Sequence, residues 1–177
     1  MLKQFVKLFV ITFLIFGYTS SKTSAETNIV YLDLKIIMNE STAGKKAQDY
    51  LAKQHENNLA SFKKTAEKLK KEEMDLIAKK QVMEKEEYKK EINKLRAKAT
   101  NFAKERREKT EKLAKTRMKA RNELLSAIKP LLEKYSNENN VDLVIDKKNV
   151  IIGKSSIDIT STIIKELNQA LPSLKLN

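Results

Sequence analysis

The chain has 177 residues and a formal net charge of +13, and charged residues make up 33% of it while aromatic residues make up only 6%. A chain with so many charges must be solvated on most of its faces, which argues against a compact globule, and its length fits a single domain. The complete absence of cysteine excludes a disulfide framework of the kind that stabilises many small exported domains. Oligomerisation is therefore the expected source of stability.

The first 25 residues have the three parts of a secretory signal peptide. Lys3 and Lys7 make the start basic, Leu8 to Phe16 is almost wholly apolar, and small residues lead up to Ala25. The apolar run is much shorter than the roughly 20 residues that a membrane-spanning helix needs. We predict that residues 1–25 are removed on export to the periplasm, which leaves one domain of residues 26–177.

Short apolar runs rich in branched side chains lie near both ends of that domain. Ile29 to Leu32 is the first run, and Val141 to Asp146 and Val150 to Ile152 follow about a hundred positions later. Each run predicts a short strand. Lys147 to Asn149 has the right length for a hairpin turn between the last two strands, although it lacks a glycine.

A long helical segment separates the first strand from the others. Between Gly44 and Pro130 there is no glycine or proline, and most residues are good helix formers. The apolar residues recur every three or four positions, as in a helix that packs along another helix. Polar residues interrupt this stripe at Glu73, Lys80 and Arg106, so the middle of the segment is expected to be weakly paired and mobile.

The positive charge is concentrated in the same segment. Residues 45–121 contain 25 basic and 13 acidic side chains, a net charge of +12. The rest of the predicted mature domain is slightly acidic. The segment is therefore a cationic surface joined to ends of nearly neutral charge.

The order of these elements requires the two ends of the domain to meet, because an unpaired strand leaves its backbone groups without partners. A straight helix over residues 43–135 would hold the ends about 140 Å apart. Either strands pair between subunits or, more simply, the helix folds back near residues 84–90. Asp158 is a suitable N-cap for a final helix that Pro172 ends, whereas Pro130 is expected to kink the returning arm.

The predicted fold class is mainly α with a small β body, from which a long antiparallel helical hairpin projects. Residues 26–41 and 136–177 form the body, and residues 42–135 form the hairpin arms. The strands are too short to form a core alone, so we expect them to assemble subunits. The expected oligomer interface consists of Ile29, Val30, Leu32, Val144, Ile145, Ile151 and Ile152.

Sequence motifs at the two ends of the domain stand on either side of the basic helical segment: Val30–Asp33, Asn39–Ala47, Val141–Asp146, Val150–Ile152, Ile157–Thr160 and Leu167–Asn168. Together with a basic helical hairpin between them, these motifs resemble the Skp/OmpH family of periplasmic chaperones. The resemblance implies a homotrimer whose three hairpins enclose a cavity. It further implies that the protein holds unfolded outer-membrane proteins without ATP and without a cofactor.

Two groups of residues on the arms are candidates for binding. Apolar residues near the predicted tip offer a soft surface to varied clients, because methionine adapts to irregular partners, although ordinary packing between the arms explains them equally well. Lys104, Arg106, Arg107 and Lys109 form the densest basic cluster; the resemblance suggests a site for lipopolysaccharide or an anionic lipid, and a solvated helix face is the simpler interpretation. The candidate client-binding residues are Met74, Ile77, Val82, Met83, Tyr88 and Phe102.

No catalytic or metal site is expected. His55 is the only histidine and has no neighbours at the spacing of metal ligands. The aspartates near the strand ends and the start of the last helix, Asp33, Asp142, Asp146 and Asp158, each have a structural role to fill. The chain is therefore not expected to be an enzyme.

Two other classes of function compete with a chaperone. The sequence pI of about 9.7 is typical of a nucleic-acid-binding protein, but the export signal and the acidic residues among the arm cations argue against binding nucleic acid. A structural coiled coil of the cell envelope is the other class. The interrupted apolar stripe and the strands at the ends argue against it.

Overall fold

The computed structural model describes residues 27–176, so the predicted signal peptide lies outside the described residues. The elements in chain order are strand β1 (Ile29–Leu32), helices α1 (Leu34–Glu40), α2 (Thr42–Ala78) and α3 (Lys85–Asn139), strand β2 (Leu143–Asp146) and helix α4 (Thr160–Ala170). Short 3₁₀ turns span Lys147–Asn149 and Ser155–Ile157. None of the helices within residues 27–176 is long and apolar enough to cross a membrane.

Helices α2 and α3 form the predicted antiparallel hairpin. They contain 37 and 55 residues, which corresponds to lengths of about 55 Å and about 80 Å. The predicted reversal near residues 84–90 is placed too late, because the chain turns at residues 79–84. Glu86 and Glu87 explain the difference: they lie in the first turn of α3, where negative charge stabilises the positive end of a helix.

Helix α3 continues through Pro130 to Asn139, and the kink expected at Pro130 stays a prediction. Proline cannot donate a hydrogen bond to the carbonyl of Ser126, four positions earlier. Both residues are exposed, so water can satisfy that carbonyl. Asn140, in the left-handed conformation with φ of 50°, ends the helix.

The sheet has two parallel strands, with Ile29 opposite Leu143 and Leu32 opposite Asp146. The predicted third strand over Val150 to Ile152 is wrong. Lys147–Asn149 forms a 3₁₀ turn in which the Lys148 N–H donates to the Asp146 carboxylate, so no hairpin returns along β2. The free edge of β1 is covered by Asp158 and Ile159, whose N–H donates to the Tyr31 carbonyl at 2.9 Å.

The hydrophobic core lies where the two ends of the domain meet the base of the hairpin. Its fully buried side chains come from β1, α1, α3 and α4: Leu32, Ile37, Ile128, Ile163 and Leu167. We call this region the body and the rest of α2 and α3 the arms. The predicted fold class is confirmed for the single chain.

Polar caps fix the helices of the body to one another. The Ser41 hydroxyl, wholly buried, accepts from the Gly44 N–H at 3.2 Å and caps α2. The neighbouring Thr42 N–H donates to the Asn168 side chain of α4 at 2.6 Å. The first N–H groups of a helix have no partners within the helix. The bond from Thr42 to Asn168 satisfies one of them and holds α4 beside the start of α2.

The final helix begins at Thr160 and ends at Ala170, close to the predicted bounds. Ile159 occupies the capping position and makes no side-chain cap. The predicted cap residue, Asp158, nevertheless accepts from the Thr160 N–H at 3.0 Å. Thr160 in turn accepts from the Asp33 N–H at 2.9 Å, which ties the start of α4 to the end of β1.

Candidate functional site

The outer half of the hairpin exposes apolar side chains that the chain itself does not cover. Met74, Ile77 and Val82 are 61%, 59% and 85% exposed. Met83, Tyr88 and Phe102, also predicted to bind clients, are half-buried. The predicted binding residues therefore divide into an exposed group and a half-buried group.

A groove of about 540 Å³ runs between the arms below the turn. It brings together Ile77, Tyr88 and Phe102 from the predicted set, whereas Met74, Val82 and Met83 do not line it. Glu73 and Arg96 line it beside apolar residues. Because charged side chains stand where a continuous helix pair would have apolar ones, the seam between the arms is open here instead of closely packed.

An aromatic pair marks the lower end of this groove. The Phe62 and Phe102 rings lie 6.3 Å apart, inclined at 69°. The Arg106 guanidinium lies 5.5 Å and 5.7 Å from the two ring centres, and the Lys109 ammonium lies 5.8 Å from that of Phe62. Edge-to-face contacts between aromatic rings and contacts between cations and ring faces are both attractive. The two rings and the two cations therefore hold the arms together here.

Phe62 was not among the client-binding residues predicted from the sequence. A signal for it exists, because residues equally far from the turn face each other in an antiparallel hairpin. Once the turn lies at residues 79–84, Phe62 falls opposite Phe102. The predicted turn at residues 84–90 hid this pairing.

The predicted basic cluster is divided between two faces of α3. Arg106 and Lys109 point toward the aromatic pair, as their distances to the rings show. Lys104 and Arg107 lie on the other side of the helix, where they approach Glu108 at 3.9 Å and Glu111 at 3.0 Å. The four cations do not form a single patch, and lipid binding stays a prediction.

One ion pair bridges the loose seam between the arms without closing it. Lys98 of α3 contacts Glu72 of α2 at 2.7 Å, and both are partly exposed. Closer to the turn, within α3, the hydrogen bond from Lys94 lowers the pKa of Glu91 below its usual value. Exposed pairs of this kind add little stability, typically about 0–1 kcal/mol, so the arms depend on few strong contacts.

The predicted interface residues of the body fall into three groups. Val30 and Leu32 are buried in the core of their own chain. Val144 and Ile145 of β2 are half-buried. Ile29 is 38% exposed, and Ile151 and Ile152 of the former third strand are 103% and 92% exposed; these three are the predicted residues still open to another subunit.

Each aspartate considered as a catalytic candidate holds a backbone N–H group. Asp33 accepts from Ile36 at 2.9 Å, Asp142 from Asn28 at 2.8 Å, and Asp146 from Lys148 at 3.3 Å. Burial favours a raised pKa for Asp158, but hydrogen bonds from Thr160 and Lys147 outweigh it and hold that pKa below its usual value. Residues 27–176 contain no group of three or more metal-ligating side chains.

Comparison with known proteins gives one family and one fold. Residues 28–167, most of the chain, match the model of the family described as outer membrane protein, OmpH-like. No curated protein sequence matches the chain. Among solved structures, it is similar to an OmpH-like protein from Caulobacter crescentus, described as a candidate outer membrane chaperone, with a TM-score of 0.80, 16% identity and coverage of 90% of this chain and 95% of that one. At that identity the likeness shows the fold alone.

Proposed function

This chain belongs to the OmpH-like family, and from that membership and the architecture of its arms we propose that it is a chaperone. In finer terms, it is a periplasmic holdase that binds unfolded outer-membrane proteins between its arms without ATP, and it is not an enzyme. The observation that carries this proposal is the open apolar groove with the exposed Met74, Ile77 and Val82 beside it. Contiguous exposed apolar surface on a highly charged protein is typical of a binding site.

Flexible apolar contacts suit a client that has no fixed structure. Met74 and Met83 have unbranched side chains that adapt to irregular surfaces. The surrounding lysines and glutamates keep the empty arms soluble. A chaperone of this kind binds many sequences with modest affinity at each contact, and its affinity comes from the number of contacts.

The charge of the arms adds a long-range attraction. Residues 45–121 have a net charge of +12, and an unfolded barrel protein with excess acidic residues is drawn to such a surface. Exposed charges are screened beyond about 8 Å at physiological salt. The rate of client capture should therefore fall as ionic strength rises, and a rate independent of salt would limit the cations to a role in solubility.

Assembly into a homotrimer is part of the proposal, since one hairpin cannot enclose a cavity. The exposed Ile29, Ile151 and Ile152 support the body as the contact region. Ile152→Asp should leave the fold of the chain intact, because the side chain is exposed, but should reduce the mass of the particle in solution. Leu59→Asp, at an arm position with 53% exposure, is the matched control. An equal mass for the wild type and Ile152→Asp would contradict this contact.

The holdase proposal is tested with an outer-membrane barrel protein unfolded in urea and diluted into buffer without nucleotide. Light scattering should show that the chain suppresses aggregation. The triple variant Met74→Ser, Ile77→Ser, Val82→Ser should lose most of this suppression at an unchanged melting temperature. Met118→Ser is the control, because Met118 is 58% exposed on α3 away from the groove. Full suppression by the triple variant would remove the groove from the proposal, and no suppression by the wild type would overturn the function.

A further inference from the structure

The last residues of the chain return to the base of the hairpin instead of extending into solvent. Leu176, only 7% exposed, packs against Ala47 of α2 and Ala120 of α3. Leu174 contacts both this cluster and the body core. We call residues 171–176 the tail; it lies beyond residue 167, where the match to the family model ends.

The surface under the tail has the features of a built notch. Ala47 and Ala120 are small, and their side chains leave room for a leucine between the two helices. A shallow, open groove of about 620 Å³ lies beside Leu174, between the tail and α3. The tail alternates there as a strand does, with Leu174 and Leu176 turned inward and Lys175 exposed.

The polar contacts of the notch go to the main chain of the tail. The Lys46 ammonium donates to the carbonyl of Pro172 at 3.1 Å, and the Lys119 ammonium donates to that of Lys175 at 3.4 Å. Every peptide has such carbonyls. The notch therefore selects for an extended backbone with apolar side chains at alternate positions and for little else.

We propose that this notch is a binding site for extended peptide segments with apolar residues at alternate positions, and that the tail is its resident occupant. Strands of outer-membrane barrels alternate in this way, so segments of an unfolded barrel have the chemistry to displace the tail. The identity of that natural ligand rests on the proposed holdase function. The competition between tail and peptide rests only on the contacts above.

The competition has a measurable size. A tethered segment competes at an effective concentration that reaches the millimolar range. If the tail occupies the notch for about nine-tenths of the time, the apparent affinity for an outside peptide is about tenfold weaker than the intrinsic affinity. Releasing the tail should recover that factor.

The test uses the full chain and a fluorescent peptide with the sequence of residues 171–177. The double variant Leu174→Ser, Leu176→Ser, whose tail no longer fits the notch, should bind the peptide about tenfold more tightly than the wild type. A peptide with serine at the same two positions should not bind. In the double variant, Lys46→Gln with Lys119→Gln should weaken binding, whereas Lys129→Gln, an exposed lysine elsewhere on α3, should not.

Equal affinity of the wild type and the double variant would overturn the inference and leave the tail as a structural strap. In the wild type, saturating peptide should also speed amide exchange at Leu174 and Leu176. Unchanged exchange at these two residues would likewise overturn the inference. The barrel aggregation assay, run on the same proteins, separates the two proposals. If the chain prevents aggregation of the barrel but shows no competition, only the notch proposal is wrong. If it shows competition but does not prevent aggregation, only the holdase proposal is wrong.

Discussion

In the body, Ile163 and Leu167 are fully buried, whereas Met74 and Ile77 of the arms leave more than half of their surface in water. The same kinds of side chain thus serve opposite purposes in one chain. The body packs them and fixes its helix starts with buried caps. The arms keep them available, and their polar contacts with each other are an aromatic pair with cations over its rings and the partly exposed ion pair of Lys98 and Glu72. The comparison teaches that stability here is local to one end, so the other end is free to change shape.

The largest expected difference is in amide hydrogen exchange. Residues 76–102 should exchange by local opening, while the strands and α4 should exchange only by global unfolding. The opening free energies should differ by about 5 kcal/mol or more, since local values range from near zero up to the full stability. Exchange measured by mass spectrometry checks this. Uniform protection along the chain would erase the distinction and favour a static structural coiled coil.

Truncating one isoleucine in each region tests the same distinction by stability. Ile163→Ala, in the core, should lower the free energy of unfolding by about 2–5 kcal/mol. Ile77→Ala, at 59% exposure, should change it by no more than about 0.5 kcal/mol. Urea unfolding followed by circular dichroism measures both. Similar losses for the two variants would mean that the arm residue is covered in the working protein.

Gly44→Ala examines the joint between the regions. Alanine normally stabilises a helix over glycine by about 0.5–1 kcal/mol. At residue 44, however, a Cβ atom would lie 1.9 Å from the Met38 carbonyl oxygen. The backbone must shift, so we expect a loss of about 1–3 kcal/mol in thermal or urea unfolding. Ala60→Gly, at an exposed position of the same helix, is the control, because its effect on stability should reflect helix propensity alone. A gain in stability for Gly44→Ala would contradict the close approach to the Met38 carbonyl.

The cation over the aromatic pair should contribute less. Arg106→Gln should weaken pairing of the arms by about 0.5–1 kcal/mol, while Arg107→Gln, whose partner is an exposed carboxylate on the same helix, should be close to neutral. A double-mutant cycle with Phe62→Leu isolates the contact. Strictly additive effects would show that the guanidinium gains nothing from the rings.

The smallest effect concerns pH. Because the folded-state pKa of Asp158 is lowered, its ionised form stabilises the fold above the ordinary carboxyl value. That contribution is lost as pH falls through the lowered pKa. Unfolding measured from about pH 6 to about pH 3 should show the advantage of the wild type over Asp158→Asn shrinking at the acid end. Lys147→Gln should move the loss toward higher pH, and a constant advantage would exclude the ionisation of Asp158 as its source.

Local chemistry was sufficient to predict the long helices α2 and α3, but it missed the short helix α1. Good helix formers without glycine or proline from residue 45 to residue 129 fixed α2 and most of α3, and the need to pair β1 fixed the fold-back. The third strand predicted over Val150 to Ile152 was wrong because branched apolar residues favour strands but do not show whether a sheet edge is free to pair with them. Asp158 already covers the free edge of β1, and this competition is visible only in three dimensions.

The candidate site was predictable in part for the same reason. Ile77, Tyr88 and Phe102 stood out as apolar residues near the middle of the segment, and they do line one groove. Phe62 was missed because its partner depends on the position of the turn. The role of Leu176 was missed because a residue beyond Pro172 has no periodicity to place it, and its contacts with Ala47 and Ala120 are set by packing far away in sequence.

The parallel pairing of β1 with β2 has a consequence for how the chain folds. Partners in this sheet are separated by 114 positions, and a ribosome releases the first strand long before the second. Closing so long a loop directly is slow. Contacts beside the turn at residues 79–84 join neighbours in sequence, so pairing can start there and advance toward the ends, which shortens the remaining loop with each contact. The region predicted to open most easily in the finished protein is thus the first able to form, and the region predicted to be most stable waits for the final fifth of the chain.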